Sequence, residues 1–96
     1  MRLNKYQEIV FELAHKNTNP LLLAVQLGSE AGEVLGEFQK SDVDYMRGDK
    51  QFDRNAVAEE LGDCLYNIAV MAQQLGYSLD EIAETNIKKC EAKDGK

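Results

Sequence analysis

The sequence predicts an all-α protein, and three observations support this class. Helix-start signals recur along the chain, its single proline stands at one of them, and no segment alternates apolar and polar residues as a half-buried strand does. A length of 96 residues suits one domain, so the whole chain, 1–96, is predicted to be a single domain. We therefore expect four helices around one core.

Boundary signals define the first two helices. Asn4, with Gln7 three residues later, is typical of a capping box, in which two side chains satisfy free backbone N–H groups at a helix start. Asn19 is a favoured N-cap residue, and Pro20 suits the first helical position because its missing N–H is not needed there. The expected helices span about residues 4–16 and 20–40.

The last two helices have similar signals at their ends. Gly76 follows a long apolar segment and favours the left-handed backbone that terminates many helices. Ser78 and Glu81 form a second predicted capping box. Residues 41–53 show no steady periodicity and are expected to form a loop. The expected helices span about residues 54–75 and 79–92.

Composition and charge exclude several classes of protein. A net charge of −6, from 17 acidic and 11 basic residues, argues against nucleic-acid binding, which normally uses a basic surface. No apolar segment approaches the roughly 20 residues that span a bilayer, and the first ten residues lack a signal-peptide core. Two cysteines, Cys64 and Cys90, are too few for a disulfide framework. We expect a cytoplasmic protein that binds neither nucleic acid nor membranes.

Two helices carry more apolar surface than four helices of one chain are expected to bury. Residues 68–72 are apolar on every side of the third helix, which is typical of a helix that is buried all round. On the second helix, Gly28, Gly32 and Gly36 share a second apolar stripe, and glycines four residues apart permit a close helix contact. We therefore predict a homo-oligomer, a dimer or a tetramer, assembled as a helical bundle.

Two pairs of acidic residues are the strongest functional signal. Glu30 and Glu33 are neighbours on the second helix, and Glu60 and Asp63 repeat this spacing on the third. Both pairs lie beside apolar stripes, where like charges destabilise a helix pair unless a cation binds. Oxygen ligands without His or Cys select a hard ion, which predicts Mg²⁺, with Mn²⁺ as a substitute. An ordinary solvated acidic face is the alternative explanation.

The residues around these acids resemble the MazG-like family of all-α nucleoside triphosphate pyrophosphohydrolases. The similarity covers LGSEAGEVLGEFQK at 27–40 and the segment 58–89, and its motif is Glu-x-x-Glu followed by Glu-x-x-Asp. The resemblance implies a four-helix enzyme that hydrolyses nucleoside triphosphates to monophosphates and pyrophosphate, as in removal of surplus or non-standard nucleotides. It implies that the metal-binding and catalytic residues are Glu30, Glu33, Glu60 and Asp63.

The same resemblance implies which residues contact the substrate. Asn86 and Lys89 match the Asn-Ile-x-Lys element of small family members, and Lys93 stands where the family continues to an Arg. The first helix helps to cover the nucleobase in relatives, which makes Gln7 a candidate. The expected substrate-binding residues are Gln7, Lys40, Asn67, Asn86, Lys89 and Lys93.

One departure from the family pattern leaves other functions open. Ser29 stands where many members carry a further Glu, so Glu59, Asn67 or a water would have to replace that group. One alternative is a phosphoribosyl-ATP pyrophosphohydrolase, although that enzyme usually has Ala-Asp and a following His where this chain has Gly62-Asp63 and Asn67. The other is a non-catalytic helical regulator that binds a nucleotide or a metal, which Ser29 favours.

Overall fold

A computed structural model describes residues 1–39 and 52–93 of the chain. Within these ranges the structure contains four α-helices and no strand, which confirms the predicted all-α class. Most of the predicted loop at 41–53 lies outside the described residues. No helix in the described ranges is both long enough and apolar enough to cross a membrane. The helices are α1 (Leu3–Leu13), α2 (Pro20–Gln39), α3 (Arg54–Gln74) and α4 (Leu79–Lys93).

Helix α3 lies at the centre of the fold and contacts each of the other three helices. Helix α2 packs along α3, and α1 contacts both α3 and α4. Ala69 and Ala72 of α3 are almost completely buried, and their small side chains leave room for neighbouring helices to approach. The core consists of Val10, Leu23, Ala69, Val70, Ala72 and Leu79.

Three predicted helix boundaries are confirmed by their hydrogen bonds or backbone. The Asn19 side-chain oxygen accepts a hydrogen bond from the Leu22 backbone N–H at 2.9 Å. Gly76 adopts a φ of +86°, the left-handed conformation that glycine tolerates best. The Ser78 N–H donates to a Glu81 carboxylate oxygen at 2.8 Å, and the Glu81 N–H donates to Ser78 Oγ at 3.1 Å. Both bonds of the predicted capping box are therefore present.

The start of α3 has two features that the sequence analysis missed. Asp53 caps the helix, because its carboxylate accepts hydrogen bonds from the backbone N–H groups of Asn55 and Ala56 at 3.0 and 3.1 Å. The rings of Phe38 and Phe52 lie 4.5 Å apart between centroids and are tilted by 48°. This aromatic pair joins the end of α2 to the residues that precede α3, and aromatic contacts at this separation are favourable.

The predicted capping box at Asn4 and Gln7 is wrong. Helix α1 begins at Leu3 after Arg2, and the Arg2 side chain makes no capping hydrogen bond. The Asn4 side-chain oxygen instead accepts a hydrogen bond from the Asp80 N–H at 3.0 Å, in the first turn of α4. The Asn4 side chain therefore binds a backbone N–H at the start of a different helix, 76 residues away along the chain.

Gln7 is buried and forms three hydrogen bonds to the region where α3 turns into α4. Its Nε2 donates to the carbonyl oxygens of Ala69 and Tyr77 at 3.2 and 3.0 Å. Its Oε1 accepts from the Leu79 N–H at 2.9 Å. Because buried backbone groups need partners, this side chain holds α1 against the end of α3 and the start of α4.

Helix α1 ends at Leu13, three residues before the predicted end. Ala14 has an extended backbone, and the Thr18 N–H donates to the His15 carbonyl oxygen at 3.1 Å in the turn that follows. Gln74 of α3 donates from Nε2 to the Thr18 carbonyl oxygen at 3.0 Å. The chain leaves the helix early because this turn is held against α3 before α2 begins.

One face of α2 remains uncovered within the described chain. Leu21, Val25 and Leu35 are 76%, 63% and 58% exposed. No atom of the described residues lies within 4 Å of a Cβ built on Gly28, Gly32 or Gly36, once the helix's own backbone is set aside. The glycines of α2 therefore make no close contact with another helix among the described residues.

The predicted burial of residues 68–72 on all sides is only partly observed. Ala69, Val70 and Ala72 are buried, whereas Ile68 is 37% exposed. Leu61, Leu65 and Leu75 are exposed as well and lie on the same side of α3 as Ile68, at helical spacing. The chain thus buries one side of α3 and leaves an apolar stripe on another.

We predict that Gln7→Leu lowers the free energy of unfolding by about 2–4 kcal/mol, because it leaves buried backbone groups without partners. Urea denaturation followed by circular dichroism measures this loss. Glu8→Gln, an exposed change on the same helix, should stay within about 0.5 kcal/mol of the wild type. Equal stability of Gln7→Leu and the wild type would show that these hydrogen bonds do not hold α1 in place.

Candidate metal and substrate site

Three predicted acidic residues converge where α2 packs on α3. One carboxylate oxygen from each of Glu30, Glu60 and Asp63 can be chosen so that all three lie within 4.8 Å of one another. Glu30 comes from α2, while Glu60 and Asp63 lie on one side of α3 because they are three residues apart. The packing of the two helices therefore creates the cluster from residues that are about 30 positions apart in the sequence.

Glu60 experiences the strongest electrostatic effect of this cluster. Its pKa is raised above the ordinary value of 4.5, first by loss of solvent, then by a side-chain hydrogen bond with Glu30 and by the negative charges of Asp63, Glu30 and Glu33. Each of these influences acts in the same direction, so no cation of the described chain offsets the repulsion. A cation bound among these carboxylates would offset this repulsion.

Glu33 is placed differently from the other three predicted acids. Its side chain is exposed, and its carboxylate is not part of the group within 4.8 Å. It lies close enough to raise the pKa of Glu60 through its charge. Ser29 and Glu59 are also exposed and outside this group. The structure therefore separates a trio of acids from a fourth acid beside it.

A cavity of about 440 Å³ opens beside the trio. Gln26 and Tyr66 line it and were not among the expected substrate-binding residues. Their spacing is a signal that could have found them, because Gln26 precedes Glu30 by one turn and Tyr66 follows Asp63 by one turn. The residues that line the cavity are Gln26, Glu30, Asp63, Tyr66 and Asn67.

Two other side chains respond to the charge of the acids. The pKa of Tyr6 in α1 is raised by burial, then by the charge of Asp63 and by Tyr66. The pKa of the Cys64 thiol is raised by burial and by the charges of Glu30, Asp63 and Glu60. Since the thiolate is the nucleophilic form of cysteine, Cys64 is poorly suited to nucleophilic catalysis.

Among the described residues, the expected substrate-binding residues other than Asn67 do not lie at the acidic cluster. Asn86 and Lys89 line a separate groove of about 430 Å³ along α4. Lys93 is exposed at the last residue of α4, and Lys40 lies outside the described residues. Gln7 uses its amide in the three hydrogen bonds that hold α1. Of the five expected residues that the structure describes, Asn67 is the one that lines the cavity beside the acids.

The trio has a donor set that fits a hard divalent cation. All three ligands are carboxylates, and ions such as Mg²⁺ and Mn²⁺ prefer oxygen ligands. Ligand atoms around one such ion lie roughly 2.0–2.6 Å from it, so opposite ligands are separated by roughly 4–5 Å. The observed limit of 4.8 Å is compatible with that arrangement. The cluster can therefore hold a divalent cation, and the adjoining cavity can hold the part of a bound molecule that does not contact the cation.

We predict that Glu60→Gln raises the melting temperature of the metal-free protein at pH 7, because the change removes a repelled charge and keeps the side-chain volume. A raised folded-state pKa means that the folded protein binds the Glu60 proton more tightly than the unfolded chain does. Wild-type stability therefore falls as pH rises through that pKa, and the advantage of Glu60→Gln should shrink as pH falls toward 4. Melting temperatures measured in EDTA between pH 4 and pH 7 test both the gain at pH 7 and its decrease at lower pH. Glu84→Gln is the exposed control. A less stable Glu60→Gln at pH 7 would contradict the prediction.

The chain matches the family model of the MazG nucleotide pyrophosphohydrolase domain over residues 18–96. The match spans α2, α3 and α4 and includes Glu30, Glu33, Glu60 and Asp63. Comparison with curated proteins and with solved structures finds no match. Because the family model covers most of the chain and agrees with its all-helical structure, the chain belongs to the MazG nucleotide pyrophosphohydrolase family.

Proposed function

We propose that this protein is a Mg²⁺-dependent enzyme that hydrolyses nucleoside triphosphates to nucleoside monophosphates and pyrophosphate. The observation that carries the proposal is the convergence of Glu30, Glu60 and Asp63 beside a cavity of ligand size. Membership of a nucleotide pyrophosphohydrolase family agrees with this reaction class. A role in clearing surplus or non-standard nucleotides from a cytoplasmic pool would follow from that activity.

In the proposed reaction, Glu30, Glu60 and Asp63 hold the cation, with Mn²⁺ as an acceptable substitute for Mg²⁺. The chemistry that such an ion supplies is positive charge, which stabilises the phosphate oxygens as charge develops on them. Glu33 lies at the edge of the same acidic surface and adds negative charge there. The protein contributes mainly by positioning, as is usual in phosphoryl transfer.

The bond changes in this reaction are simple. A water oxygen forms a bond to one phosphorus of the α–β phosphoanhydride, and the bond from the bridging oxygen to that phosphorus breaks. One carboxylate of the cluster accepts the proton that the water loses. The products are a nucleoside monophosphate and pyrophosphate, so no other reactant is needed.

A self-assembled form of the protein is part of the proposal. The uncovered face of α2 includes the exposed apolar side chains of Leu21, Val25 and Leu35, and exposed apolar patches often mark protein interfaces. The apolar stripe on α3 adds further exposed leucine and isoleucine side chains. A second copy of the chain would cover such surfaces, and we propose a homodimer or a homotetramer.

We predict that amide substitutions of the trio abolish most of the activity. Glu30→Gln, Glu60→Gln and Asp63→Asn should each reduce turnover at least ~100-fold, the usual scale for loss of one strong electrostatic element. Glu33→Gln should lose less, because its carboxylate lies outside the trio. The measurement is pyrophosphate release from a panel of nucleoside triphosphates and phosphoribosyl-ATP, with Mg²⁺, Mn²⁺ or EDTA.

Glu84→Gln is the matched control, since it removes an exposed acid on α4 and should leave turnover unchanged. Near-normal turnover in two of the trio variants would contradict the assignment of the site. Preference for phosphoribosyl-ATP would support the first alternative function. Nucleotide binding without release of pyrophosphate would support a regulator.

We predict that light scattering at micromolar concentration gives a dimer or a tetramer. Leu65→Glu, which places a charge on the exposed stripe of α3, should shift the protein to a smaller species. Leu13→Glu is the control, because Leu13 is exposed at the end of α1 and lies outside both apolar surfaces. A folded wild-type monomer at this concentration would refute self-assembly.

A further inference from the structure

Asn67 holds a buried hydrogen-bond acceptor that the fold does not use. Its side chain is 4% exposed, and its Nδ2 donates to the Asp63 carbonyl oxygen at 3.0 Å. Its Oδ1 is buried and has no hydrogen-bond partner among the described residues. Rotating the amide to exchange its two ends would remove the bond to Asp63, so the oxygen is the end that remains available.

The residue that carries this unused acceptor lines the cavity beside the acids. Asn67 follows Asp63 by one helical turn and lines the same cavity as Glu30 and Asp63. A phosphate chain that is bound at the acids would leave the nucleoside part of the substrate to occupy the adjoining space. The half-buried ring of Tyr66 also lines this space and offers a flat surface to a base.

The chemistry of an acceptor decides which bases it favours. Cytosine and adenine present an exocyclic amino group, which is a donor, at the ring position where uracil and hypoxanthine present a carbonyl oxygen. An amide oxygen attracts the first group and repels the second, because two acceptors cannot share a hydrogen bond. Gln7, the amide that the sequence suggested for this contact, is already occupied within the fold.

We propose that Asn67 Oδ1 accepts a hydrogen bond from the exocyclic amino group of the nucleobase, so that the cavity selects cytosine and adenine nucleotides over uracil and hypoxanthine nucleotides. This inference rests on the proposed function, since it assumes that the acids bind the phosphate chain. Asn67 is then the residue that determines base specificity, while the acids and the cation determine the reaction.

The test compares substrates that differ mainly at that one ring position. For the wild type, kcat/KM should be about tenfold or more higher for CTP than for UTP, and for ATP than for ITP, the scale expected for one hydrogen bond gained against one acceptor repelled. Asn67→Leu, which keeps the volume but removes the acceptor, should bring both ratios close to one through loss of the amino-bearing substrates. Gln73→Leu, an exposed change on the same helix, should keep the wild-type ratios.

Binding of non-hydrolysable α,β-methylene analogues of CTP and UTP, measured by calorimetry, separates this inference from the proposed reaction. If no triphosphate is hydrolysed but the wild type binds the CTP analogue about tenfold more tightly and Asn67→Leu does not, the inference holds and the proposed reaction fails. If hydrolysis is normal but the wild-type ratios are close to one, or Asn67→Leu keeps them, the inference is overturned. A different outcome is that Asn67→Leu lowers kcat/KM equally for CTP and UTP, with no loss for the corresponding 2′-deoxynucleoside triphosphates. In that outcome the donor is a sugar hydroxyl, and the assignment to the base is overturned. Should Asn67→Leu fail to fold, the ratios and the analogue affinities of the wild type decide.

Discussion

The architecture depends on α3 meeting a different requirement on each of its sides. One side is small and apolar, and Ala69, Val70 and Ala72 pack there into the core with α1 and α2. A second side carries the acids, which lie beside α2 and receive no neutralising charge from residues 1–39 and 52–93. A third side presents leucine and isoleucine side chains to the surroundings. A helix with these three surfaces has little freedom in how it rotates, so the core, the site and the exposed stripe fix one another.

The fold tolerates repulsion among the carboxylates of the acidic cluster. Nearby carboxylates and reduced contact with water both raise the pKa of Glu60, so the folded chain holds an arrangement that its own charges oppose. The core and the hydrogen bonds of Gln7 lie on other parts of the chain and keep the helices in place regardless. Such a separation between the elements that stabilise and the elements that react is common at functional sites, where strain is compensated elsewhere.

Local signals were sufficient where the partner of a residue is close in sequence. Asn19 predicted the start of α2, Gly76 the end of α3, and the Ser78 capping box the start of α4. The hydrogen bonds or backbone angles of these residues involve close neighbours in the sequence. Gln7 shows where such signals fail, because its three partners lie 62 to 72 residues away and its spacing from Asn4 imitates a local motif. The acid pairs were recognisable by spacing, but the rotation of α2 against α3, which separates Glu30 from Glu33, depends on packing.

The position of Gln7 affects how the domain can be divided. The family match begins at residue 18, yet the side chains that hold the junction of α3 and α4 come from Asn4 and Gln7 in α1. A fragment trimmed to the matched region would retain the whole acidic cluster while uncovering Val70 and leaving the Leu79 N–H without its partner. The region that matches the family model and the region joined by these hydrogen bonds therefore differ, and a fragment without α1 would keep every carboxylate of the cluster while losing contacts that position the helices carrying them.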